Sequence, residues 1–330
     1  MPEKTVSHYT ILEKLGEGQT GTIYRARDTK RERDVTLKFL PTRIQLTEAD
    51  KARLRADATK ASLLQHPNIR AFYSLKFEKQ ECFVVLEYVE GKTLKELMPV
   101  ESQQVAINYA IYICSAFQDA HGKGLLHRNL RPEGVMVSAK KRVRVLGFGE
   151  APLKDVLKLA RTTGTPEDAA YVSPEQIEGV ALDGRSDVFA IGVLFYHMLS
   201  GQLPFRADHE AGMFYAIQNE KPVSIRQYRP DLSPGFVSII ERALEKKPAD
   251  RYQSVDEMLA ELRHLKRASF SISKVFSRPV GNTSRIATQP FRKFQGKKEG
   301  MPLGKMLPML IGIIVLILLA IIGIRAFINP

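Results

Sequence analysis

Apolar and polar positions alternate in three short runs near the start of the chain, Tyr9–Gly16, Thr22–Asp28 and Val35–Leu40, which predicts three strands joined by turns. The spacing turns helical over Ala49–Gln65 and is stopped by the breaker His66-Pro67-Asn68. A compact apolar run, Cys82–Val89, predicts a further strand. Beyond Thr93 the pattern is mainly helical to about Leu265, strongest over Val105–His121, Asp187–Leu199, Phe236–Leu244 and Val255–Leu265. A small strand-rich lobe therefore precedes a larger helical one, an α+β arrangement. No internal repeat is present.

The periodicity then ends. Residues 268–305 mix Ser, Thr, Gly, Pro and basic residues, and are expected to form a flexible linker. Met306–Ile324 follows as a run of 19 uncharged residues, nearly all Leu, Ile, Val or Met. As a helix it would be ~28 Å long, close to the ~30 Å hydrocarbon core of a bilayer. Pro308 and Gly312 are tolerated in such a helix. A single C-terminal transmembrane helix is expected, with residues 325–330 as a short extracytoplasmic tail, too few for a receptor domain. Lys297, Lys298 and Lys305 precede the run and only Arg325 follows it, so the N-terminal side is expected in the cytoplasm. The first eight residues form a polar tail, and MPEKTVSHYT does not resemble a signal peptide.

Charge refines this picture. The chain has 330 residues and a formal net charge of +13, but residues 263–305 alone hold 11 Lys/Arg against the single acid Glu299. The folded part is nearly neutral, which argues against nucleic acid as a partner and points to an anionic membrane surface facing the linker. Phe291 and Phe294 could dip into that interface, and Ser269, Ser271, Ser273, Ser277, Thr283, Ser284 and Thr288 are candidate phosphorylation positions among the basic residues. Two cysteines, Cys82 and Cys114, cannot form a disulfide scaffold, and no Cys/His set has zinc spacing.

Several motifs occur in order within residues 9–267. Gly16-Glu17-Gly18-Gln19-Thr20-Gly21-Thr22-Ile23 has three spaced glycines, as a tight hairpin needs, and Val35-Thr36-Leu37-Lys38 places a lysine on the third strand. His66-Pro67-Asn68-Ile69, Tyr171-Val172-Ser173-Pro174-Glu175, Ser186-Asp187-Val188 and Asp250-Arg251-Tyr252 follow. Together they resemble a protein kinase domain of the bacterial membrane Ser/Thr type, which implies a bilobal fold with a small β-rich N-lobe and a larger helical C-lobe. The resemblance assigns Gly16, Glu17, Gly18, Gly21, Ile23 and Lys38 to nucleotide phosphates. It assigns Leu86, Glu87, Tyr88 and Val89 to the gatekeeper and adenine hinge, and Asp57 to the helix acid that pairs with Lys38. An aspartate there is one methylene shorter than the usual glutamate, and a solvated role for it is an equal reading.

The same resemblance exposes three departures. The catalytic-loop pattern H-R-D-L-x-x-x-N reads His127-Arg128-Asn129-Leu130-Arg131-Pro132-Glu133-Gly134, so Asn129 replaces the base and Gly134 a metal ligand. The D-F-G triplet reads Gly147-Phe148-Gly149, so Gly147 removes the other metal ligand. Phosphoryl transfer rests on positioning and on metal ions that neutralise the phosphates, and Mg²⁺ seeks carboxylate and phosphate oxygens. Glu133 and Glu150 are the nearest carboxylates in sequence, but neither stands at the register of a missing group. Glu167-Asp168-Ala169-Ala170 is inserted between Gly164-Thr165-Pro166 and Tyr171, where a substrate would dock. His127, Phe148, Asp187 and the Glu175–Arg251 pair, which the family uses for structure, are retained. The resemblance thus implies a membrane-anchored pseudokinase, a signalling scaffold or regulator binding ATP without metal, if at all. Its partners would be active Ser/Thr kinases or phosphothreonine-binding modules. The alternative is a weakly active or unconventional Ser/Thr kinase.

Overall fold

The computed structural model describes residues 5–18, 21–41, 46–78, 81–150 and 165–276. Six antiparallel strands build the first layer: β1 (Thr5–Val6), β2 (Tyr9–Gly18), β3 (Gly21–Asp28), β4 (Arg33–Phe39), β5 (Phe72–Glu78) and β6 (Glu81–Glu87), in the order β1-β2-β3-β4-β6-β5. Side chains on a strand alternate between faces, and both central strands use both. Val35 and Leu37 of β4 join Phe83 and Val85 of β6 on one face, with Tyr9 and Ala26. Val84 and Leu86 turn to the opposite face, where Leu54, Ala58 and Ala61 of helix α1 (Glu48–Ser62) cover them. Lys38 pairs in register with Val84, and Thr36 with Leu86, so both lie on the helix-covered face. Thr47 caps α1 through a reciprocal bond with Asp50.

The larger layer begins with β7 (Lys92–Thr93), α2 (Leu94–Leu97) and α3 (Gln103–Gly122). A three-stranded sheet of β7, β8 (Val135–Val137) and β9 (Val143–Val145) lies within it, followed by α4 (Pro166–Ala169), α5 (Pro174–Glu178), α6 (Gly184–Ser200), α7 (Glu210–Asn219), α8 (Pro234–Ala243) and α9 (Val255–Phe276). Helix α6 is apolar all round and buried along nearly its whole length, as expected of a central core helix. On α9, Val255, Met258, Leu259 and Leu262 repeat at helical spacing and are buried.

One buried ion pair ties this lobe together. The Arg251 guanidinium donates to both carboxylate oxygens of Glu175, at 2.8 and 3.0 Å, and to the carbonyls of Glu245, Lys246 and Arg185. Burial would push the Glu175 carboxyl up, but Arg251 holds it below its ordinary value. Removing one partner of such a pair strands a buried charge, at a cost of about 3–5 kcal/mol.

The expected strands and helices are present, with two differences. Strand β1 in the expected N-terminal tail, strand β5 and the short β7–β9 sheet stand where no strand was expected. Helix α9 runs to Phe276, into the stretch expected to be a flexible linker from residue 268, so Ser269, Ser271 and Ser273 belong to a helix. No helix among the described residues is long and apolar enough to cross a membrane. The expected span Met306–Ile324 and the linker from residue 277 lie outside the described residues.

Candidate active site

The glycine motif forms the hairpin between β2 and β3, whose ladder closes with Gly18 opposite Gly21. Gly21 has φ +122°, and a Cβ there would stand 1.7 Å from the Phe39 carbonyl oxygen, so only glycine fits. Gly16 has open space around its Cα, while Glu17 is exposed and paired with Lys14 at 2.5 Å. Ile23 lies opposite Lys38 in the β3–β4 ladder, which brings the hairpin beside the lysine. Leu86 is buried at the end of β6, and Val89 follows half-buried. The Glu87 carboxylate turns away from solvent to accept from the Ala71 amide at 3.0 Å and from Arg144 at 3.4 Å. Its backbone oxygen accepts from the Thr36 hydroxyl at 3.4 Å.

The three altered positions are gathered by His127 and Leu146. Asp187, buried in the first turn of α6, accepts from the amides of His127 at 2.9 Å and Arg128 at 2.8 Å, and from His121 at 2.8 Å. These donors hold its carboxyl below the ordinary value against burial, and they fix the loop, with Arg128 at φ +63°. The Asn129 amide donates to His127 Nδ1 at 3.3 Å, so the proton sits on Nε2, which donates to the Leu146 carbonyl at 2.7 Å. Burial pushes the His127 pKa down and keeps the ring neutral. Its ring packs on Phe148 and Phe117 at centroid distances of 4.7 and 5.4 Å. The Leu146 amide donates to the Gly134 carbonyl at 2.7 Å. Asn129, Gly134 and Gly147 are thereby held on adjoining backbone.

Steric room differs between the two glycines. At Gly134 a Cβ would meet only the Leu146 oxygen at 3.9 Å. At Gly147, φ is +95° and a Cβ would lie 3.2 Å from His127 Nε2, so any side chain there must move the imidazole. Among the described residues, no cluster of three His, Cys, Asp or Glu side chains could hold a metal ion. Glu133 pairs with Lys95 at 2.7 Å. The glycines at positions 134 and 147 offer no side-chain oxygen to a bound Mg²⁺ and do not fit one.

Lys38 does not pair with Asp57. Its ammonium lies 2.6 Å from Glu150 Oε2, and the other oxygen of Glu150 accepts from Arg70 Nη2. Asp57 is half-buried on α1, and no ion pair joins it to Lys38 among the described residues. Next to Glu150, Gly149 has φ +79°, and a Cβ there would stand 2.3 Å from the Cβ of Ala61. The backbone at Gly149 thus passes close against Ala61 of α1, and Glu150 reaches Lys38 of β4. The triad is nearly closed to solvent, with side chains 10% (Lys38), 11% (Arg70) and 14% (Glu150) exposed. Burial would push the Glu150 carboxyl up, but Lys38 and then Arg70 outweigh it and bring it down to about 2. Neither Arg70 nor Glu150 was assigned a role from sequence. The available signal was Arg70 itself, a charge directly after the apolar Ile69.

A bilobal fold, a glycine hairpin over a strand lysine, and an aspartate bonded to the loop amides are now in place. The protein-kinase-domain family model matches residues 9–262. This chain belongs to the protein kinase family. It is 34% identical over 307 residues to the serine/threonine-protein kinase pkn3 of Myxococcus xanthus, covering 87% of this chain and 55% of that protein. It is 32% identical over 270 residues to the serine/threonine-protein kinase PknB of Mycobacterium leprae, covering 79% and 43%. The chain thus spans about half the length of the curated relatives it matches. The crystal structure of the Mycobacterium tuberculosis PknI kinase domain superposes with TM-score 0.63 at 22% identity, over 80% of this chain and 98% of that one, a likeness that speaks to fold alone. A kinase fold implies ATP binding, and Lys38 with the glycine hairpin are the residues that would hold its phosphates.

Proposed function

We propose that this chain is a kinase-family protein that has lost phosphoryl transfer and signals by binding, tethered to a membrane through Met306–Ile324 with its kinase-like domain in the cytoplasm. The observation that carries this reading is the set Asn129, Gly134 and Gly147 on one intact frame. Asn129 cannot take a hydroxyl proton as a carboxylate does, and a general base is worth ~10²–10⁴ in rate. Gly147 and Gly134 offer no side-chain oxygen to a metal. Phosphoryl transfer without neutralisation of the phosphates has no driving arrangement left. ATP would bind weakly and without metal. Partners would be active Ser/Thr kinases or phosphothreonine-binding modules, which the basic linker would present at an anionic membrane surface.

A second reading, a weakly active Ser/Thr kinase, is favoured by the names of the relatives and by Glu150, a carboxylate three residues from Gly147. Transfer of labelled γ-phosphate by the purified full chain, with Mg²⁺ and with Mn²⁺, decides between the two. The expected result is no incorporation above a protein-free blank, into itself or into generic Ser/Thr substrates. Stoichiometric incorporation at serine or threonine would establish the second reading.

A further inference from the structure

We infer that Glu150 is an internal stand-in for a nucleotide's phosphate. In this assignment its carboxylate holds the phosphate-binding charges Lys38 and Arg70, and a nucleoside di- or triphosphate engages the cleft by displacing it, with Arg70 supplying the positive charge that a metal otherwise brings. The inference deepens the reading that ATP binds here without metal, and rests on it.

Three observations carry it. The first is the charge balance: among the described residues, the ion pairs of this nearly closed site join two cations to one carboxylate, which leaves one positive charge there for an anion. A polyphosphate carries more negative charge than Glu150 and has more acceptor oxygens, so it satisfies both cations better than the side chain does. The second is the anchoring of Arg70. Its amide donates to the Val145 carbonyl at 2.9 Å and Ile69 bridges Val145, so the guanidinium springs from a fixed backbone next to the lysine. Guanidinium is the side chain suited to bidentate phosphate recognition. The third is the absence of side-chain oxygens at positions 134 and 147. A nucleotide in this cleft must have its charge met by the protein, and the triad is where the protein has spare cationic charge beside the glycine hairpin.

Displacement has a cost, because Glu150 must give up two charge-assisted bonds before phosphate can take them. Removing the carboxylate should therefore tighten nucleotide binding. The test is calorimetric titration of the full chain in detergent with ATP and with ADP, in EDTA and again with excess Mg²⁺. The variants are Glu150→Gln, Glu150→Asp and Arg70→Gln, each checked for folding by circular dichroism. In EDTA, Glu150→Gln should bind ATP about tenfold more tightly than the wild type, equal to about 1.4 kcal/mol. Glu150→Asp keeps the charge but is too short to reach both cations, and should fall between the two. It carries the test if Glu150→Gln does not fold. Arg70→Gln should weaken binding about tenfold. Mg²⁺ should tighten none of them. The inference is overturned if Glu150→Gln binds no better than the wild type, or if no variant binds nucleotide. It is equally overturned if binding needs Mg²⁺ and Glu150→Gln abolishes that need's effect, since Glu150 would then be a metal ligand. Phosphate transfer by the wild type would sink the proposed loss of catalysis and leave the EDTA titration unaffected, so the two ideas fail separately.

Discussion

In an active kinase, replacing the strand lysine is a clean way to remove activity. Here the same change should also weaken the fold. Lys38→Met keeps most of the apolar stem on β4 but deletes the ammonium 2.6 Å from Glu150. The Glu150 carboxyl sits at about 2 against an ordinary 4.5. At 1.36 kcal/mol for each tenfold change in acidity, the two cations, after offsetting burial, favour the folded, ionised form by about 3 kcal/mol net. Lys38 is the stronger of the two influences, so its loss should cost about 1–2 kcal/mol, with Arg70 retaining the rest. Glu150→Gln should cost more, about 2–4 kcal/mol, because it leaves two cations facing each other with no anion.

The chain has no tryptophan, so unfolding of residues 1–277 is best followed by far-ultraviolet circular dichroism in urea. A double-mutant cycle of Lys38→Met with Glu150→Gln should return a coupling of about 1–2 kcal/mol. Additivity within about 0.5 kcal/mol would refute the triad as an energetic unit, as would an unchanged midpoint in Lys38→Met. If the coupling is found, any loss of nucleotide binding in a Lys38 variant has to be read against a parallel loss of stability.

Two further outcomes follow from the geometry. Gly21→Ala should destabilise the small lobe by at least about 1–3 kcal/mol, because its Cβ would stand 1.7 Å from the Phe39 oxygen, whereas Gly16→Ala, with open space, should shift the melting temperature little; equal shifts would contradict the hairpin geometry. Acid should weaken the fold: a carboxyl held at about 2 when folded contributes fully above its unfolded value of 4.5 and loses that contribution as pH falls towards 2. Buried His127 adds its own loss below its ordinary 6.5, since burial disfavours its charged form. Comparing urea midpoints of wild type and Glu150→Gln from pH 6 to pH 3 isolates the carboxylate. The variant should show the shallower fall below pH 4.5, and parallel curves would count against the pairing.

Much of the fold was legible because its elements obey local periodicity. The strand pairs β2–β3 and β3–β4 follow from alternation and tight turns, and α3, α6, α8 and the first turns of α9 from apolar spacing. Strand β5 was also readable, since Phe72-Tyr73-Ser74-Leu75-Lys76-Phe77-Glu78 alternates after the Pro67 breaker, but its central residues are only half-buried and its apolar face is weak. The β7–β9 strands are two or three residues long and carry too few positions for a period. The far end of α9 was missed for a different reason. Ser269, Ser271 and Ser273 read as linker composition, yet a helix already nucleated on Val255, Met258, Leu259 and Leu262 adds residues at little cost.

The site divides along the same physical line. What depends on residue type at a fixed position could be read directly: Asn129 has no carboxylate to take a proton, and Gly134 and Gly147 have no side-chain oxygen, wherever the chain puts them. What depends on long-range contact could not. Glu150 meets Lys38 across 112 residues and Arg70 across 80, beside the close approach of Gly149 to Ala61. The resemblance pointed to Asp57 because the family's spacing before His66 was the only guide the sequence offered to an acid near Lys38. The structure supplies that acid from the opposite direction, from Glu150 in the segment after Gly147. A lysine buried on β4 needs an anion; with Asp57 unpaired to it, and no carboxylate at 147 to share the cleft, Glu150 fills that need. The retained pairs, Asp187 on the loop amides and Glu175 on Arg251, are those whose loss would strand buried charge. The altered positions 129 and 134 are ones where a neutral residue leaves no such charge behind. Selection for a stable frame alone would keep the first set, whereas catalysis would require both.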